Sequence, residues 1–170
     1  MSIEEPRYTV EKFLEHYEVR LYEKTLIAET QVSGDVDEAS RNSFKILAAY
    51  IFGKNHSQTK IAMTAPVNLS GKGQRRVLQF SMPRSFSLQK LPLPIDKEVE
   101  LREIPPRRLA VYRYSGSWSE KLYNEKLKFF LSQLQKDSVN VKGEPIFARF
   151  NSPFSIWFLR RNEIWIEVDS

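Results

Sequence analysis

Hydrophobic and polar positions alternate along two neighbouring stretches near the start of the chain, residues 17–22 and 26–32. This period of two predicts a pair of half-buried β-strands. Because only the short turn Glu23-Lys24-Thr25 separates them, we expect the two strands to pair with each other as a hairpin.

Helical spacing replaces this alternation further along. A helix is predicted from Val36 to Phe52, because Asp35 can cap its first turn and Glu38 stands in the capping-box position. Gly53 follows at the place where glycine commonly ends a helix. A second helix is predicted from Ser119 to Gln135.

The remaining strands fall into two similar sets. They are predicted at Ile61–Val67, Leu78–Met82, Val99–Ile104, Leu109–Tyr114, Phe147–Phe150 and Glu163–Val168. The proline-rich stretch Pro83–Lys97 is predicted to connect the two sets. The chain is therefore predicted to be one α+β domain spanning 1–170, with two pseudo-twofold β-β-α-β-β halves at about 17–82 and 98–168. These halves would form one curved antiparallel sheet or distorted β-barrel flanked by two long helices.

Composition narrows the function without naming it. The 170 residues include no cysteine, which excludes disulfides, thiolate metal ligands and a thiol nucleophile. The net charge of +5 is spread along the chain without a nucleic-acid-binding motif, so we expect no nucleic-acid partner. The acidic N-terminus and the lack of a long apolar stretch predict a cytoplasmic protein without a transmembrane segment. No catalytic motif is present, so we expect a protein that is not an enzyme.

Three segments carry a resemblance to a known family. They are Tyr17-Glu18-Val19-Arg20-Leu21-Tyr22, Lys60-Ile61-Ala62-Met63-Thr64-Ala65-Pro66-Val67 and Arg161-Asn162-Glu163-Ile164-Trp165-Ile166-Glu167-Val168. In order and spacing they resemble the SOUL/haem-binding-protein family. The resemblance implies the pseudo-twofold fold above, which is related to the GyrI-like effector-binding domains of bacterial regulators. It also implies reversible, non-catalytic binding of haem or a related tetrapyrrole, for buffering, transport or sensing. Haem is a possible cofactor that the fold does not require.

The resemblance directs attention to the first helix and its surroundings. Apolar residues cover roughly two-thirds of the circumference of this helix, which is more than one packed face needs. The surplus predicts either a deeply buried core helix, a ligand cleft or a protein contact. The predicted site comprises Phe44, Leu47, Ala48, Ile51, Met63, His56, Lys54 and Lys60. Arg41 and Lys45 are further cations that could meet the haem propionates.

Iron ligation has few candidates, because the chain contains only two histidines. His56 is the candidate metal ligand. By the motif, Leu21 occupies the position at which some family members carry a histidine proposed to ligate iron. Two alternatives therefore stay open beside tetrapyrrole binding: a GyrI-like sensor or scavenger of amphiphilic small molecules, and a protein-interaction module that uses the apolar surface of the first helix.

Overall fold

A computed structural model describes residues 3–32, 36–71, 75–151, 156 and 159–169, with the backbone alone for 36–39. The predicted cap at Asp35 and the Glu38 side chain lie outside the described residues. The described elements, in chain order, are β1 (Tyr8–Phe13), β2 (Glu18–Tyr22), β3 (Thr25–Val32), α1 (Val36–Ile51), β4 (Val67–Ser70), β5 (Arg76–Ser81), β6 (Glu100–Ile104), β7 (Arg107–Tyr114), α2 (Glu120–Lys136), β8 (Ile146–Arg149) and β9 (Asn162–Glu167). They confirm the predicted α+β class. Neither helix among the described residues is long and apolar enough to cross a bilayer.

The chain divides into two compact units. Unit 1 consists of Lys24–Pro105 with the N-terminal residues up to Pro6, and unit 2 consists of Arg7–Glu23 with Pro106–Ser170. The division into halves at about 17–82 and 98–168 stays a prediction.

Unit 1 is a sheet with a helix packed on one face. Its strands lie in the order β4-β5-β3-β6, and every neighbouring pair is antiparallel. Ala28 of β3 lies opposite Phe80 of β5, and both pack in the core with Leu47 of α1. The helix is amphipathic, so burying its apolar face against the sheet is what stabilises it there.

Unit 2 repeats this plan with an aromatic interface. Its strands lie in the order β1-β2-β7-β9-β8. Ser119 caps α2 by accepting a hydrogen bond from the Leu122 backbone, and the helix agrees with its prediction to within one residue at each end. Phe130 of α2 packs between Tyr17 and Tyr112, with ring centroids 5.6 and 5.5 Å away.

The predicted hairpin at the start of the chain is wrong. Although two residues separate β2 from β3, β2 pairs with β7 and β3 pairs with β5 and β6. Alternation reports which side chains face the core, and it carries no information about which strand lies alongside. The edge strand β1 was not predicted, because its residues are mostly exposed on both sides.

The predicted strand Ile61–Val67 is also wrong, since β4 begins only at Val67. Pro66 has no N–H to donate to a ladder. The backbone before it bonds elsewhere: Ile61 N–H donates to the Ile51 carbonyl (2.7 Å) and Ala65 N–H to the Glu4 carbonyl (3.0 Å). The motif segment therefore joins the end of α1 to the start of β4 as extended, non-ladder chain.

Candidate functional site

The predicted site residues on α1 separate into two groups. Leu47 and Ile51 are 0% and 1% exposed and belong to the core of unit 1, so their side chains present no surface to a ligand. Phe44 is 38% exposed, with its ring edge against Phe80 at 5.3 Å. Ala48 lies half-buried one turn further along α1.

The other predicted residues follow the helix. Lys54, His56, Lys60 and Met63 are all exposed, and Met63 is 37% accessible. Among the described residues, no group of three or more His, Cys, Asp or Glu side chains is arranged to hold a metal ion. His56 is fixed through its backbone, whose N–H donates to the Leu93 carbonyl (2.9 Å).

A groove of about 460 Å³ runs along one side of α1 in unit 1. Its wall on the helix is apolar with a lysine at each end, and its opposite wall comes from the chain just before β6. The lining residues are Lys45, Ile46, Ala49, Tyr50, Lys54, Ile95 and Asp96. This volume is within the range of ordinary small-molecule sites.

The end of α1 places Lys54 at this groove. Gly53 adopts φ +116°, and the Lys54 N–H donates back to the Ala49 carbonyl (3.0 Å) while the Gly53 N–H donates to the Tyr50 carbonyl (3.4 Å). This pair of backbone hydrogen bonds is a Schellman motif, which a glycine at this position permits. The chain therefore turns back on the last helical turn, so that Lys54 and Lys45 line the same groove.

Asn55 organises the loop that follows. Its side chain is fully buried, and its amide nitrogen donates to the carbonyls of Tyr50 (3.0 Å) and Thr59 (2.8 Å). Its amide oxygen accepts from the Thr59 N–H (3.0 Å) and the Ser57 hydroxyl (3.3 Å). One side chain thus caps α1 and fixes the loop that carries His56.

The opposite wall of the groove is formed by Ile95 and Asp96. They end the stretch Leu91-Pro92-Leu93-Pro94-Ile95-Asp96, which we call the 91–96 segment. The buried Tyr50 hydroxyl donates to the Pro92 carbonyl (2.6 Å), and burial raises the pKa of Tyr50 to about 12. Leu93 and Ile95 are 67% and 60% exposed. Of the two, Ile95 lines the groove and is therefore available to an apolar ligand there.

Charge is distributed unevenly around α1. Within the groove two lysines face one carboxylate, that of Asp96. A second cavity of about 500 Å³, which shares Ile46 with the groove, is lined by the carboxylates of Glu29, Glu98 and Glu100, and Lys97 is the one cation among its described lining residues. The positive end of the surface is therefore the groove, and the negative end is the neighbouring cavity.

Glu29 in the second cavity is an ionised, bonded carboxylate. Burial raises its pKa, but hydrogen bonds from Arg102 (2.9 and 3.2 Å) and Gln79 (2.8 Å) outweigh burial. The pKa of Glu29 therefore lies below its ordinary value. Both carboxylate oxygens of Glu29 are hydrogen-bonded to Arg102 or Gln79, so the role of this side chain in unit 1 is structural.

Unit 2 holds the conspicuous charges of the C-terminal motif. The Glu163 carboxylate, 0% exposed, accepts from Arg20 (3.0 Å), from the Trp165 indole (2.9 Å) and from Arg161 (3.2 Å). Arg20 also donates to the Tyr22 hydroxyl (3.0 Å). A buried charge is tolerated when it is paired and hydrogen-bonded in this way. The cluster therefore joins strands β2 and β9 in unit 2, and its charged groups are bonded to one another.

Sequence reasoning found part of the groove. Lys45 and Lys54 were identified by charge and position, whereas Ala49, Ile95 and Asp96 were not. Alanine carries no chemical signal of its own, and a segment without periodicity cannot be placed against a helix from the sequence. The prolines that flank Leu93 were the only available signal, since they favour an extended, wall-like chain.

Comparison with known proteins covers nearly the whole chain. A family model described as SOUL heme-binding protein matches residues 3–167. Heme-binding protein 2 of Homo sapiens is 31% identical over 159 residues, which is 88% of this chain and 77% of the relative. Among solved structures, the EcmrR C-terminal domain aligns with TM-score 0.67 at 10% identity, covering 91% of this chain and 98% of that one. SAV2435, solved bound to tetraphenylphosphonium, aligns with TM-score 0.55 at 10% identity over 91% and 94%. These structures confirm the predicted fold.

Proposed function

The chain belongs to the SOUL heme-binding protein family, and from this premise we propose that it binds haem or a related tetrapyrrole reversibly, without catalysis, in the groove beside α1. The observation that carries the proposal is an apolar groove with Lys45 at one end of its helical wall and Lys54 at the other. A cytoplasmic role in buffering, transport or sensing is part of the same proposal.

The chemistry of the ligand matches this distribution of residues. Haem is a flat, mostly apolar ring with two carboxylates on one edge. Ile46, Ala49 and Ile95 supply apolar contact, and the two lysines supply cations for the carboxylates. The carboxylates of the neighbouring cavity repel a ligand turned the other way, so the carboxylate edge is expected at the lysines.

Iron coordination is not required for this mode of binding. None of the described residues that line the groove is a histidine, methionine or cysteine, and the Tyr50 hydroxyl is bonded to Pro92. The residues fit the ring and its carboxylates, and they leave the iron without a protein ligand from the groove. Metal-free protoporphyrin is therefore expected to bind about as tightly as haem. His56, whose backbone is bonded to Leu93 of the 91–96 segment, is the proposed candidate for ligation.

Titration with haem and with protoporphyrin IX tests the proposal. Saturation near one equivalent is expected for both, whereas featureless, non-saturating association would overturn it. A matched pair of substitutions tests the location, because neighbouring alanines lie on different sides of α1. Ala49→Phe fills the groove and should abolish binding, while Ala48→Phe should not. The opposite result would move the site to the surface that carries Phe44 and Ala48.

Tetraphenylphosphonium serves as the probe for the competing small-molecule sensor. The groove offers two cations against one carboxylate, so a hydrophobic cation should bind poorly there. Thermal stabilisation by tetraphenylphosphonium without stabilisation by porphyrins would favour an amphiphile sensor over a tetrapyrrole binder.

A further inference from the structure

One buried side-chain hydroxyl bonds to the second wall of the groove. We propose that Tyr50 is a positioning residue for the ligand: its hydroxyl bond to Pro92 holds the 91–96 segment beside α1, so that Ile95, which lines the groove, meets the bound ring. This inference rests on the proposed binding site and adds to it the residue that controls its affinity.

The 91–96 segment is built to act as a wall. It has neither helix nor ladder strand, and Pro92 and Pro94 restrict its backbone to an extended course. Its first residue, Leu91, is buried in the core of unit 1, whereas Leu93 and Ile95 are among the most exposed apolar side chains of the unit. Exposed apolar side chains beside an apolar groove gain free energy when a flat ligand covers them.

Backbone bonds and one side-chain bond hold this wall in place. The His56 N–H donates to the Leu93 carbonyl (2.9 Å) within the isolated bridge of Asn55 with Pro94, the Leu91 N–H donates to the Ser87 carbonyl (3.1 Å), and the Val99 N–H donates to the Asp96 carbonyl (3.2 Å). The Tyr50 hydroxyl donates to the Pro92 carbonyl (2.6 Å). The Tyr50 bond comes from a side chain and can be removed by deleting one oxygen atom.

The Tyr50 ring and its hydroxyl have separate roles. The ring is 1% exposed and packs in the core of unit 1, where a phenylalanine ring fills the same volume. The hydroxyl reaches past the core to the wall of the groove. Removing the hydroxyl therefore leaves the core packed and loosens the wall, and the ligand must then order the wall when it binds.

The test compares Tyr50→Phe with Tyr17→Phe. Tyr17 is the control, because it also donates a phenol hydrogen bond (2.8 Å, to Asp137), which is partly buried and lies in unit 2. Both variants should lose similar stability in urea. Only Tyr50→Phe should weaken binding of protoporphyrin IX, by roughly 2- to 10-fold, and mainly through faster dissociation. Amide exchange at His56 should also accelerate in this variant alone.

Ile95→Ser provides a second route, since Ile95 is exposed and its replacement leaves the core intact. It should weaken binding with Tyr50 unchanged. Wild-type affinity in Tyr50→Phe would overturn the inference while leaving tetrapyrrole binding standing, whatever the effect of Ile95→Ser. A wild-type protein that fails to bind protoporphyrin at all would instead overturn the proposed function.

Discussion

The lysine pair of the groove gives the sharpest prediction. Lys45→Gln and Lys54→Gln each remove one positive charge and keep a long polar side chain. Both lysines are exposed, so each ion pair with a ligand carboxylate is expected to contribute about 0.2–1 kcal/mol. The double variant should therefore lose about 0.4–2 kcal/mol of binding free energy, which corresponds to a roughly 2- to 30-fold weaker affinity.

Absorbance titration with protoporphyrin IX at two salt concentrations measures this loss. The difference between wild type and double variant should shrink at high salt, because exposed charges are screened. The dimethyl ester of the porphyrin should not respond to either substitution, since it has no carboxylate to pair. Lys90→Gln, at an exposed lysine of the same unit outside the groove, is the control for net charge.

A double variant that binds protoporphyrin IX as tightly as wild type at low salt would refute a role of the two lysines in pairing with the carboxylates. Equal weakening by Lys90→Gln would refute it as well, because the effect would then come from overall charge. A loss that is the same for the acid and its dimethyl ester would assign the lysines to packing through their aliphatic stems.

Three further predictions concern stability. Asn55→Ala should lower the free energy of unfolding in urea by about 2–4 kcal/mol, because several buried partners lose their bond; a smaller loss would mean that water replaces the amide. The pKa of Glu29 is lowered in the folded state, so its stabilisation is present above the unfolded value and is lost as pH falls through the folded one. In Glu29→Gln the free energy of unfolding should therefore fall less steeply as the pH is lowered, and an unchanged pH dependence would contradict this. Gly53→Ala should cost about 1–2 kcal/mol from backbone conformation alone, since its Cβ would meet only ordinary contacts; Gly143→Ala, without a positive φ, should be close to neutral in the same assay.

Local signals in the sequence predicted the helices well. The predicted end of the first helix differs from the observed Ile51 by one residue, because Gly53 marks it and adopts the expected positive φ. The resemblance carried by the three motifs predicted the fold as a whole. Local signals could not predict which strands pair, because pairing depends on contacts between residues that are distant in the chain.

The candidate site was predicted in part for a related reason. Leu47, Ala48 and Ala49 are successive residues of one helix, yet the structure places them in the core, beside the exposed Phe44, and in the groove respectively. Periodicity identifies the buried face of a helix and does not distinguish a groove from open surface on the rest of its circumference. Here the 91–96 segment makes that distinction, and its position could not be predicted from the sequence.

The pairing of N-terminal strands with strands far along the chain has a consequence for how this protein is made. The partner of β3 on one side is β6, and the partner of β2 is β7, each encoded far downstream. During synthesis the N-terminal portion therefore has unpaired strand edges until residues beyond Tyr114 have left the ribosome. Such edges can pair with other chains. Unit 2 is thus expected to fold late and slowly, because the long loop between Glu23 and Pro106 must close first.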